Sequence, residues 1–260
     1  MPVMDRPAGN IRYQVSGGAG PLLLLTHGYG ATSAMFAENL PALAAAGYRI
    51  VTWDIRGHGG SDCPADPASY SHANALADMA AILDELGQHR AVLGGHSLGG
   101  YLSLDFALSF PDRVAGLVLI DTGPGFRNDA ARDDWNRRAE RTAARLAERG
   151  PAALGSSAEL HANEHRGAAG LILAATHTLP QQDAHVIDGL PRIQAPALIV
   201  VGADDTAFLG AADYMTAKIP QARKVVIPDA GHAPNVSQPG LFDAEVARFL
   251  AEVAAAEELA

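Results

Sequence analysis

Cysteine is nearly absent: Cys63 is the only one in 260 residues, so no disulfide can form within the chain and a cysteine-based zinc cluster is excluded with it. Basic residues are also scarce. Nineteen Lys and Arg face 29 Asp and Glu, a formal charge of −10, and no Lys/Arg run supplies the basic face that phosphate binding needs. No nucleic-acid partner is therefore expected. The densest apolar stretches, Pro21–Leu25 and Ala197–Val201, fall far short of the roughly 20 residues that cross a bilayer, so no membrane partner is expected either. Residues 1–10 lack the basic-then-apolar pattern of a secretory signal, which leaves a cytoplasmic location as the expectation. Neither G-x-G-x-x-G nor G-x-x-x-x-G-K occurs, and no cofactor is expected.

What is present is a globular balance, 48% hydrophobic and 18% charged. The length sits near the upper end of what one core serves, about 250–300 residues, so one domain with an insertion or two small domains are the options. Short apolar runs alternate with amphipathic ones, the rhythm of a mostly parallel α/β sheet. Strands are expected at Asn10–Val15, Pro21–Thr26, Tyr48–Asp54, Ala91–Gly94, Val114–Ile120, Ala197–Val201 and Lys224–Ile227. Helices are expected at Ala34–Ala46, His72–Leu86, Leu98–Phe110, Ala211–Ile219 and Leu241–Ala256. Between Asp121 and Pro196 nothing reads as a strand, and residues 127–150 are Ala-rich with dense Arg, Asp and Glu. The segment 122–192 is read as a helical insertion on the sheet, dividing the core into 1–121 and 193–260.

The strongest chemical signal is Gly95-His-Ser97-Leu-Gly99, with Gly100 after it, at the junction of a short buried strand and a helix. A turn this sharp needs small residues on both sides of its centre, and it projects the serine hydroxyl out of the sheet. It also sets Ser97 and the Leu98 amide at a helix N-terminus, where developing negative charge is stabilised. A serine hydroxyl needs a base to take its proton and a carboxylate to orient that base. His232, in Ala230-Gly-His-Ala-Pro234, follows a strand, comes after Ser97 in the chain and is separated from it by an acidic loop. That order makes it the candidate base. The loop, Gly202-Ala-Asp204-Asp205, offers two candidate acids, and Asp121 at the end of an earlier strand is a third. His27-Gly-Tyr29-Gly30 follows another strand, so the Tyr29 amide is a candidate second donor to an oxyanion, beside that of Leu98.

In their order and spacing these segments, together with Asp54-x-Arg56-Gly-x-Gly59-x-Ser61, resemble the α/β-hydrolase superfamily over nearly the whole chain. The resemblance implies a mostly parallel central sheet flanked by helices, with 122–192 as a helical lid. It implies Ser97 as nucleophile, His232 as base, Asp205 as the orienting acid, and the Tyr29 and Leu98 amides as the oxyanion hole. Asp54, Arg56 and their glycines look like the family's structural loop. Ser237 stands where many relatives carry Glu, a departure read as affecting loop packing. A serine at position 97 argues against the similar branches that use Asp.

The activity implied is a cofactor-independent serine hydrolase of a small ester or lactone, working as a monomer or homodimer. A carbon–carbon bond hydrolase or enol-lactonase is the alternative, and a non-catalytic ligand-binding protein of the same fold is the rival from another class. Two further patterns are set aside. His161-Ala-Asn-Glu164-His165 matches a zinc motif, H-x-x-E-H, but lies in the insertion without an evident third ligand, and no metal is expected. Phe126, Trp135 and Phe208 could line a pocket but read equally well as ordinary core.

Overall fold

The computed structural model describes residues 2–160 and 164–258. Eight strands form one sheet: β1 (Val3–Met4), β2 (Ile11–Ser16), β3 (Leu22–Thr26), β4 (Arg49–Trp53), β5 (Ala91–His96), β6 (Val114–Ile120), β7 (Ala197–Gly202) and β8 (Ala222–Ile227). Their order is β1-β2-β4-β3-β5-β6-β7-β8. β1 pairs with β2 and β2 with β4 antiparallel, and every later pairing is parallel. The helices are α1 (Leu40–Ala45), α2 (His72–Glu85), α3 (Leu98–Ser109), α4 (Asp129–Arg149), α5 (Ala168–His177), α6 (His185–Gly189), α7 (Leu209–Lys218), α8 (Pro234–Ser237) and α9 (Pro239–Glu258). Among the described residues no helix is long and apolar enough to cross a membrane.

The central strands are continuous apolar runs because both their faces are covered. Side chains alternate between faces. Leu22 and Leu24 of β3 join one core with Leu117 and Leu119 of β6, Ile199 of β7, and Leu76, Met79 and Leu102 of α2 and α3. Leu23 and Leu25 join the other, with Val118, Ile120 and Val200, against Leu43 of α1 and Phe242, Val246 and Phe249 of α9. The sheet is thus sandwiched between two helical layers, as the alternating pattern predicts. Side-chain caps set two of the helix starts: the Ser71 hydroxyl accepts the Asn74 N–H below α2, and the Asn128 side chain accepts the Ala131 N–H below α4.

The helix expected over Ala34–Ala46 is broken instead. A 3-10 turn spans Ser33–Phe36 and α1 begins only at Leu40. Pro41 has no N–H to donate to the carbonyl four residues back. Asn39, in the gap, turns its buried amide to the Asn235 carbonyl (3.0 Å) and the Asp243 carboxylate (2.9 Å). Two short elements, β1 and α8, carry no periodic signal and were not expected.

Between β6 and β7 the described chain contains only helices and 3-10 turns. α4 and α5 pack on each other. α6 lies on α3, where Val186 and Leu190 enter the first core. The insertion is tied to the loops at the strand ends. Arg166 donates to the Asp62 carboxylate (2.7 Å) and the Gly60 carbonyl (2.6 Å), and the Tyr29 hydroxyl donates to the Leu171 carbonyl (2.9 Å).

The Asp54–Ser61 loop is held rigidly. Asp54 accepts the Ser33 and Gly60 amides (2.8 and 2.9 Å), and the Arg56 guanidinium meets Asp78 of α2 at 2.6 Å with both side chains buried. Removing one partner leaves a buried charge without its counterion. Arg56→Met is expected to destabilise the fold by about 3 kcal/mol, even though Arg6 also reaches Asp78 (3.0 Å), and urea unfolding measures it.

Candidate active site

The turn from β5 into α3 is built from backbone pressed on backbone. A Cβ added at Gly95 would lie 2.1 Å from the Gly99 carbonyl carbon, and one at Gly99 would lie 2.1 Å from the Thr26 carbonyl oxygen. Only glycine fits at either place. Between them Ser97 takes φ 50° and ψ −111°, a region that side-chain-bearing residues enter under strain. The Thr122 hydroxyl secures the turn from β6, donating to the Ser97 carbonyl at 2.6 Å. The Ser97 side chain gives α3 no cap hydrogen bond, and Ser97 lines a cavity.

His232 lies on the loop after β8. Its Nδ1–H donates to Asp205 Oδ2 at 2.6 Å, with Asp205 buried. Asp204 is exposed, and its N–H donates to the Ala230 carbonyl. Of the two loop carboxylates, Asp205 is the one that meets the imidazole. His96, the residue before Ser97, packs edge-on against the His232 ring with centroids 4.7 Å apart, and its Nε2–H donates to the His232 carbonyl at 2.6 Å. Burial, followed by the neighbouring His232, pulls the His96 pKa down to about 3, so it remains a neutral strut. Phe208 also packs against the His232 ring, with centroids 4.9 Å apart.

The third candidate acid, Asp121, ends β6. Its Oδ1 accepts the Gly202 N–H at 3.0 Å, and it presents an oxygen within 4.8 Å of both Asp205 and His232. Three ligand-type atoms so close could suggest a cation site. Here His232 and Asp205 are engaged with each other and Asp121 with Gly202, so the grouping is a hydrogen-bonded array.

At the other side of the turn, Gly28 lies against Ser97: a Cβ there would come within 3.3 Å of the Ser97 Cβ. Among the described residues, the Tyr29 and Leu98 amides donate to no backbone or side-chain acceptor, Leu98 being the first residue of α3. Leu98 lines the cavity, whereas the Tyr29 side chain turns away to the insertion.

The loops around Tyr29 are braced by three imidazoles. His27 Nε2 accepts the Ile55 N–H (2.9 Å), His58 Nε2 accepts the Gly30 N–H (3.1 Å), and His165 Nδ1 accepts the Gly59 N–H (3.1 Å). His58 packs against both of the others. Burial is the main cause of a lowered pKa in each, to about 4 for His27. Of the zinc-like pattern, His161 lies outside the described residues. His165 has both ring nitrogens in use, since its Nε2–H donates to the Gly30 carbonyl at 2.9 Å.

The cavity holds about 370 Å³. Ser97, Leu98 and Tyr101 come from the sheet side, Phe126 and Trp135 from the insertion, and Phe208 from the loop after β7. These three aromatics, along with His96 and Thr122, went unassigned in the sequence. Only their adjacency to chain segments already implicated could have marked them. Asp134 and Arg138 lie among the lining residues as a salt-bridged pair at 3.2 Å.

The family model described as the α/β hydrolase fold matches residues 21–156. The chain is 30% identical, over 88% of its length and 93% of the relative's, to a protein named as a carbamate hydrolase from Pseudomonas savastanoi. It is 43% identical over 47% of its length, and 43% of the relative's, to a 2-hydroxy-6-oxononadienedioate/2-hydroxy-6-oxononatrienedioate hydrolase from Burkholderia vietnamiensis. Among solved structures it is similar to a thermophilic esterase from Thermogutta terrifontis, with a TM-score of 0.79 and 27% identity over 96% of this chain and 97% of that one. All three relatives are named as hydrolytic enzymes.

The crowding at the turn makes a direct prediction. Gly99→Ala forces the β5–α3 turn away from β3, and should cost about 2–3 kcal/mol of stability in denaturant unfolding.

Proposed function

The chain belongs to the α/β-hydrolase fold family, and from that premise we propose that it is a cofactor-independent serine hydrolase of small carboxylic esters or lactones. The observation that carries this reading is the bond from His232 Nδ1 to buried Asp205, on a loop packed against the strained turn that bears Ser97. With Nδ1–H committed to Asp205, the imidazole keeps Nε2 as its acceptor.

In this mechanism Ser97 Oγ attacks the substrate carbonyl carbon while His232 Nε2 takes the hydroxyl proton. The carbonyl oxygen becomes an oxyanion facing the Tyr29 and Leu98 amides, whose N–H groups have no other acceptor among the described residues. Collapse of the tetrahedral intermediate breaks the bond to the leaving alkoxide, which receives the proton from His232. Water then attacks the acyl-enzyme, gives its proton to His232 and displaces Ser97, which recovers its proton as the acid departs.

The cavity supports a small substrate with an apolar or aromatic portion, since Tyr101, Phe126, Trp135 and Phe208 are among its walls. A second reading, hydrolysis of a carbon–carbon bond in a ring-fission product, is favoured by the Burkholderia relative. The two separate on a simple comparison of substrates.

A p-nitrophenyl ester series from acetate to long acyl chains should show turnover that falls with chain length. Ser97→Ala should lower it about 10⁴-fold or more, and Asp205→Asn about 10²–10⁴-fold, while Asp204→Asn should change it little. Faster cleavage of a ring-fission product than of any ester would replace the esterase reading, and full activity in Ser97→Ala would end both.

A further inference from the structure

The proposed reaction makes no use of Asp121. This residue ends β6 at φ 40° and is 1% exposed. Its Oδ1 holds the Gly202 amide, whereas its Oδ2 is buried with no donor among the described residues. A buried oxygen in that condition costs free energy unless it carries or receives a proton. Asp205 and His232 both lie within 4.8 Å, and two carboxylates this close in a buried site resist being charged together. Of the pair, Asp205 is the one that accepts the His232 N–H.

We propose that Asp121 is a positioning residue whose neutral carboxyl donates its Oδ2 proton to the Asp205 carboxylate, fixing the acceptor that orients His232. The inference rests on reading Ser97, His232 and Asp205 as a triad. The groups facing Asp121 agree with it. Asp205, from the loop after β7, and Glu159, from the insertion, raise its proton affinity by their negative charge. His232 is bonded to Asp205, and His96, in register with Ile120 at the end of β5, is neutral. Burial is the largest cause, opposed by the Gly202 N–H and reinforced by Asp205, and together they push the Asp121 pKa up to about 8. The proton is therefore in place at neutral pH and is lost as the solution turns alkaline.

Linkage supplies a readout independent of turnover. The unfolded carboxyl releases its proton near its ordinary value of about 4, whereas the folded one keeps it to about 8. Between those limits the native carboxyl holds more of its proton than the unfolded one, so the contribution of Asp121 to stability falls as pH rises. Asp121→Asn preserves an acceptor for Gly202 and a donor for Asp205, tolerates a positive φ and does not titrate.

Melting temperatures of wild type and Asp121→Asn should be compared from pH 5 to pH 8. The difference should move in favour of the variant by several degrees as pH rises. A constant difference would mean that Asp121 is already ionised, and overturns the proposal. On p-nitrophenyl acetate, Asp121→Ala should lower kcat about tenfold or more with little change in KM. Asp121→Asn should restore kcat to within about threefold and remove any loss of activity centred near pH 8. An Asp121→Asn enzyme as impaired as Asp205→Asn would show that the charge is what matters, and overturns it as well. Should Asp121→Ala fail to fold, the melting comparison decides alone. Ser97→Ala, assayed in parallel, isolates the two readings: activity surviving there removes the triad while the melting comparison still judges the Asp121 proton.

Discussion

The site depends on a close approach of main chains, where the turn leaving β5 is pressed against the end of β3. Gly95 meets Gly99, and Gly99 meets the Thr26 carbonyl, at distances no side chain would permit. The strain at Ser97 and the start of α3 at Leu98, whose N–H has no acceptor among the described residues, follow from that contact. It requires β3 and β5 to be neighbours in parallel, which in turn requires both faces of those strands to be buried. The double layer of helices is therefore a condition of the site as well as of the fold.

The remaining groups arrive from loops at the same end of the sheet. β6 delivers Asp121 and Thr122, β7 delivers Asp205, and β8 delivers His232. Each loop is locked by bonds to the next: Thr122 to Ser97, Asp121 to Gly202, Asp205 to His232, and His96 back to His232. The chain of contacts closes on itself. A displacement of any one loop is felt by the others, so the geometry is preorganised by covalent continuity with a rigid sheet.

Much of this is visible in the sequence because the signals are local. Leu22–Leu25 and Ala197–Val201 are too apolar for anything but buried strands, and the spacing of Gly95, Ser97 and Gly99 marks a turn that few other residues could make. What the sequence leaves open depends on distant partners. Asp204 and Asp205 differ only in which one points inward at His232, a matter of loop path rather than residue type. The break at residues 37–39 has a local cause in Pro41 and a distant one in Asn39, which bonds to Asn235 nearly two hundred residues away. Pocket walls are harder still. Phe126 and Trp135 sit in a segment whose charge pattern describes its outer surface, and nothing periodic distinguishes an aromatic facing a cavity from one facing a core.

The three imidazoles that brace the loops near Tyr29 work only while they are uncharged, because each accepts a main-chain hydrogen. An unfolded chain would take up protons on these rings near pH 6.5, whereas the folded one holds them off to lower pH. Acidification therefore pulls toward the open chain, and it does so at the joint between the insertion and the sheet. A molecule fastened in this way has an acid limit written into its scaffold, independent of the ionisation of any group that reacts.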